Sequence, residues 1–174
     1  MKKSFIALAL YFLTSQNIAF GAQFGVLDVD KIIQESSAVV DIQKKVDTKK
    51  IAYETEINKK QSQLESEQKK LEDKKITLSK EAFEKEIKNF EKKVDDLKNY
   101  IDRKQNSLKK ASIDAMSKVN DKVKTIVSDI AKEKELDVII PTSQTLYFKD
   151  ELDITAEVLS QLNKKITKVD VKFE

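Results

Sequence analysis

Ser79-Lys80-Glu81-Ala82-Phe83-Glu84-Lys85-Glu86-Ile87-Lys88-Asn89-Phe90-Glu91-Lys92-Lys93-Val94-Asp95-Asp96-Leu97-Lys98-Asn99-Tyr100-Ile101 decides the fold. Its apolar residues Phe83, Ile87, Phe90, Val94, Leu97 and Ile101 are spaced alternately by four and three, and charged residues fill most of the gaps. That spacing puts one apolar stripe on a long, solvated helix. The stretch from Val39 to Lys134 contains no Gly and no Pro. One short interruption, Lys75-Ile76-Thr77-Leu78-Ser79, divides it. The pattern predicts two long helices folded back on each other as a coiled-coil-like hairpin arm, residues 38–135, with its tip near 75–80.

The first arm helix is expected from about Ala38 to Lys75. Its stripe is thin: Ile57, Leu64, Leu71 and Leu78 recur every seven residues, with Gln61, Gln68 and Lys75 between them. Glu56–Lys60 and Glu65–Lys69 are spaced as i,i+4 pairs, each worth about 0.2–0.5 kcal/mol on an isolated helix. Ser79 reads as the N-cap of the second helix, with Glu81 set against the helix dipole. Beyond Ile101 the stripe is interrupted at Lys104, then passes with a shift of phase through Leu108, Ala111 or Ser112, and Ala115 or Met116 to Val119, Val123, Ile126 and Ile130. At about 1.5 Å per residue, the arm beyond Ile51 would project roughly 35–40 Å.

The flanks read as the two halves of a small base, residues 22–37 and 136–174. Phe24 to Val29 reads as a strand, followed by a short helix capped by Asp30, and Ser37 reads as the N-cap of the arm. Leu136 to Ile140 reads as a second strand, hairpinned through Pro141-Thr142-Ser143-Gln144 to a third, Thr145 to Phe148. Asp153 caps a last helix, Ile154 to Ile166, and the tail from Thr167 is alternating. The fold class is α+β. Three short strands make a marginal core and leave sheet edges open. Val26, Leu27, Val138, Ile139, Ile140, Leu146 and Phe148 are therefore expected to join several bases edge to edge.

Residues 1–21 read as a cleaved signal peptide: Lys2 and Lys3, an apolar run from Phe5 to Leu13, and small residues at Ala19 and Gly21. Without Lys2 and Lys3 the 33 basic side chains become 31, against 30 acidic ones. So near-neutral a charge gives only weak grounds for general polyanion binding. Arg103 is the lone Arg, and aromatic residues do not interleave the lysines, which argues against nucleic acid as a partner. There is no Cys and no His, and Gly21 and Gly25 are the two glycines. These facts remove thiol and imidazole chemistry, nearly all zinc sites and any phosphate-cradling loop, so no enzyme, cofactor or metal is expected.

The order of parts resembles the Skp/OmpH family of periplasmic chaperones. The resemblance rests on Phe24-Gly25-Val26-Leu27-Asp28-Val29-Asp30-Lys31-Ile32-Ile33-Gln34-Glu35-Ser36, the Lys/Glu-rich hairpin, and Leu136 to Asn163 with Tyr147 and Asp153-Ile154-Thr155-Ala156-Glu157-Val158. It implies a homotrimer with a small β-barrel base. Three arms would enclose a cavity and hold unfolded outer-membrane β-barrel proteins in the periplasm without ATP. Client or anion contact is then assigned to Lys69, Lys70, Lys74, Lys75 and Lys80 at the tip and to Tyr53, Ile76 and Tyr100 away from the stripe. Lipid phosphate and lipopolysaccharide are further anions those lysines suit, with no residue carried over for either. The alternative is a non-catalytic envelope spacer or adaptor, whose hairpin docks a folded partner.

Overall fold

The computed structural model describes residues 21–174. The expected signal peptide, apart from Gly21, lies outside the described residues. Two strands, β1 (Phe24–Leu27) and β2 (Val138–Pro141), pair in parallel with Phe24 opposite Val138 and Leu27 opposite Pro141. Helix α1 (Val29–Glu35) follows β1 directly. The arm is α2 (Ser37–Lys74) and α3 (Lys80–Glu133), and α4 (Thr155–Lys165) closes the base.

Cap residues settle where these elements begin. The Asp28 carboxylate, not that of Asp30, accepts from the Lys31 N–H at 2.9 Å, so the chain turns helical from Val29 and β1 ends at Leu27. The N-cap of α2 is Ser36 rather than Ser37. The exposed first turn is satisfied from across the base, where the Ser37 N–H donates to Asn163 Oδ1 at 2.9 Å. Ser79 caps α3 as expected, its hydroxyl accepting from the Ala82 N–H. Ser79 and the preceding turn, where Thr77 and Leu78 donate back to the Lys74 carbonyl, reverse the chain at the tip.

The end of α3 is a Schellman turn: Leu136 N–H donates to Ala131 O and Glu135 N–H to Lys132 O. Glu135 carries the positive φ of 54° that this turn requires and that Gly usually supplies. The turn delivers Leu136 to the core and starts β2 beside β1. β1 is also bridged on its other side by Asp153, where the Ile154 N–H donates to Val26 O. One of the two expected open edges is therefore covered, and the outer edge of β2 is the free one among the described residues.

The third strand does not form. Thr142–Gln144 makes a turn of 3-10 helix, and Thr145 bonds back to the Thr142 carbonyl through both its N–H and its hydroxyl. A tight hairpin needs Gly or Asn in the positive-φ region, and Pro141 to Gln144 supplies neither. Thr145 to Phe148 therefore leaves the sheet, with Leu146 fully exposed and Tyr147 83 % exposed.

The core lies where arm and base meet. Ile126, Ile130, Val158 and Leu162 are completely buried, with Leu27, Ile32, Ile42 and Val119 around them. Asp28 N–H to Thr155 Oγ1, at 2.8 Å, ties β1 to the start of α4.

Candidate functional site

Burial falls off sharply along the arm. Between Glu54 and Asn106 no side chain is buried. The stripe residues Ile57, Leu64, Leu71, Phe83, Ile87, Phe90, Leu97 and Ile101 are half-buried, and Val94 is exposed. The two helices cover each other on one side only, as the thin stripe of α2 requires. Clefts open between them; the larger, about 350 Å³, is lined by Lys60, Leu64, Lys93, Leu97, Tyr100 and Arg103 among others.

Polar contacts across the arm supplement this weak seam. Lys93 pairs with Glu67 at 2.6 Å and Lys74 with Glu86 at 3.1 Å. All four side chains are largely exposed, so screening holds each pair below about 1 kcal/mol. The expected Glu56–Lys60 pair is replaced. Glu56 accepts a short hydrogen bond from the Tyr100 hydroxyl, and Lys60 lies over the Tyr100 ring at 5.0 Å. The hydrogen bond to Glu56, then desolvation, raises the Tyr100 pKa above its ordinary value. Glu65 and Lys69 form no salt bridge within 4 Å.

Of the residues assigned to client or anion contact, Lys69, Lys70, Lys75 and Lys80 are exposed at the tip with no acidic partner among the described residues, and Lys74 is held by Glu86. Ile76, 91 % exposed, sits among them. Tyr100 lies half-buried in the arm cleft, far from the tip. Tyr53 is buried rather than exposed: it is 4 % exposed, with Lys49 and Lys104 over its ring at 4.9 and 4.7 Å. Its hydroxyl donates to the Glu174 carbonyl at 3.4 Å. Of the expected association residues, Val26 and Leu27 are buried within the chain itself, Val138 and Leu146 are exposed, and Ile139, Ile140 and Phe148 are half-buried.

What covers Tyr53 is the tail, whose role the periodicity of the helices did not reveal. Residues 168–174 alternate without exception: Val169 is buried, Val171 and Phe173 are half-buried, and Lys168, Asp170, Lys172 and Glu174 are exposed. Val169 N–H donates to Asp41 at 3.2 Å, and the Val169 carbonyl accepts from Lys45 at 2.7 Å. Lys118 donates to the Asp170 carbonyl, and the Glu174 N–H to Ser107 Oγ at 2.9 Å. From Asp41 to Tyr53 is about 18 Å along a helix. Val169 to Glu174 covers about 17 Å only if extended. The tail therefore runs outward along the arm as an extended chain. The hydrogen bond from Lys45, then that from Val169, lowers the Asp41 pKa. Glu174 raises that of Lys110, which it meets at 2.6 Å.

No helix of the described residues is long and apolar enough to cross a membrane, and no cluster of acidic residues among them could hold a metal ion.

A two-helix arm standing on a small α/β base defines the class: a non-globular α+β protein whose long surface is a half-covered apolar stripe. Residues 23–162 match the family described as Outer membrane protein (OmpH-like), and the chain belongs to that family. It is similar to a crystal structure of a candidate outer membrane chaperone (OmpH-like) from Caulobacter crescentus CB15. The TM-score is 0.81 at 18 % identity, over 95 % of this chain and 97 % of that one. It is 33 % identical over 164 residues to an uncharacterized protein of Aquifex aeolicus (strain VF5), covering 94 % of this chain and 98 % of the relative.

Proposed function

We propose that this protein is an ATP-independent holding chaperone of the periplasm. It would bind unfolded outer-membrane β-barrel proteins between the arms of a homotrimer and keep them soluble for insertion. The observation that carries the reading is the arm itself. Over its distal part every apolar side chain of the stripe is half-covered or exposed and is flanked by hydrated charge. Such a surface offers many weak apolar contacts without a fixed pocket. A transmembrane β-strand, apolar at every second residue, needs that kind of contact before it reaches lipid.

Family membership and the description of the Caulobacter relative support a chaperone role. Assembly is supported by the exposed Leu146 and Tyr147, apolar side chains that a lone subunit leaves in water, and by the unpaired edge of β2 among the described residues. Export is supported by residues 1–21. Lys69, Lys70, Lys75 and Lys80 would draw in acidic clients, lipid phosphate or lipopolysaccharide.

Light scattering of a urea-unfolded outer-membrane barrel diluted into buffer tests this reading. The barrel should stay clear when the protein is present at stoichiometric amounts without nucleotide. Scattering that rises as it does in buffer alone would refute it.

A further inference from the structure

The tail occupies a groove at the root of the arm, between α2 and α3. Ser107, Ala111 and Ala115 line one face of α3 there and are buried although small, while Asp41, Lys45 and Tyr53 face it from α2. Two features of the seating stand out physically. The groove holds the tail through its backbone: five hydrogen bonds run from Asp41, Lys45, Lys118, Ser107 and Tyr53 to N–H or carbonyl groups of Val169, Asp170 and Glu174. Contacts of that kind do not depend on side-chain identity. The groove also accepts every second side chain, Val169, Val171 and Phe173, and leaves Lys168, Asp170, Lys172 and Glu174 in water.

An extended chain, apolar on alternate residues and recognised through its backbone, is also what one strand of an unfolded β-barrel presents. Peptide recognition by strand capture divides the work in the same way, with main-chain hydrogen bonds for affinity and alternate side-chain pockets for selectivity. The segment that mimics such a strand lies outside residues 23–162, the part that matches the family.

We propose that the groove between α2 and α3 is a binding site for single extended strands of unfolded β-barrel clients, and that residues 168–174 are a built-in competitor that fills it until a client displaces them. This deepens the holding-chaperone reading and rests on it. Tail and client compete for one site at the arm root, while the half-covered stripe beyond Glu54 provides the weaker, non-exclusive contacts.

Hydrogen exchange on the full chain, with and without a urea-unfolded outer-membrane barrel, tests the proposal. The amides of Val169 and Glu174 are the reporters, because both donate into the groove. Holding the barrel should speed their exchange at least tenfold. A chain ending at Thr167 should bind the barrel several-fold more tightly than the full chain. Because truncation uncovers part of the core, Phe173→Asp in the full chain is the second variant: it loosens the tail, leaves the groove intact, and should tighten client binding in the same direction. A barrel that is held while tail exchange and both variants' affinities stay unchanged overturns the competitor and leaves the chaperone reading standing. A full chain that holds no barrel overturns both.

Discussion

Leu162→Ala and Leu64→Ala remove the same atoms from two places that the structure makes very different. Leu162 is completely buried among Leu27, Ile32, Ile126, Ile130 and Val158. Leu64 lies half-covered on the arm stripe, beside an open cleft. A buried Leu→Ala change loses the transfer energy of the side chain and leaves a cavity, together about 2–5 kcal/mol. With interlocking neighbours from β1, α1, α3 and α4, Leu162 should fall near the middle, about 3 kcal/mol. At Leu64 roughly half the transfer term applies, and solvent fills the gap, so the loss should be about 1 kcal/mol or less. For a chain of this size 1 kcal/mol moves Tm by roughly 2–4 °C. The expected shifts are therefore about 6–12 °C for Leu162→Ala and at most about 4 °C for Leu64→Ala. Scanning calorimetry at one fixed protomer concentration is the assay, because assembly would couple Tm to concentration. Equal losses at the two positions, or a larger one at Leu64, would refute the division into a stabilising base and a weakly held arm.

Gly25→Val should destabilise by about 1–3 kcal/mol in urea titration, since a Cβ there already meets Leu136 Cδ1 at 2.9 Å and Ile139 Cγ1 at 3.3 Å. The Asp41 carboxyl is held below its ordinary value of 3.8 by Lys45 and the Val169 N–H, with Lys168 nearby. A depressed folded pKa gives stability that is present above the unfolded value and lost as pH falls through the folded one. The Tm gap between wild type and Asp41→Asn should therefore hold steady from about pH 7 to 5 and narrow as pH falls below about 4; a gap that stays level down to acid unfolding would contradict the anchor. Reversing Lys69, Lys70, Lys75 and Lys80 to Glu should leave Tm within about 2 °C, since none has a partner to lose. The same variant should flatten the salt dependence of client association measured by stopped flow.

The arm was legible in the sequence because helical periodicity depends on one chain alone. The alternating spacing from Phe83 to Ile101, the thin stripe through Leu64 and the Ser79 cap all read directly, and α3 begins at Lys80 with Glu81 in its first turn. The caps at the base were misplaced by one or two residues because adjacent candidates, Asp28 with Asp30 and Ser36 with Ser37, are chemically equivalent until a distant partner such as Asn163 is in place. Thr145 to Phe148 has the composition of a strand. Strand propensity reports a fit to a pleated, half-buried surface, and this chain provides no such surface there. The periodicity of α2 leaves Tyr53 off the stripe and carries no information about a tail more than a hundred residues away. The alternation of Val169, Val171 and Phe173 was visible, but the helices it would lie against were not.

On the proposed function, several copies join through their bases and hold an unfolded barrel between their arms. Multi-angle light scattering on residues 22–174, alone and after dilution of a urea-unfolded outer-membrane barrel into them, measures both steps. The expected result is the mass of a trimer, and then the mass of that trimer plus one barrel in a soluble complex formed without nucleotide. A monomer mass, or a trimer that leaves the barrel to aggregate, would contradict it.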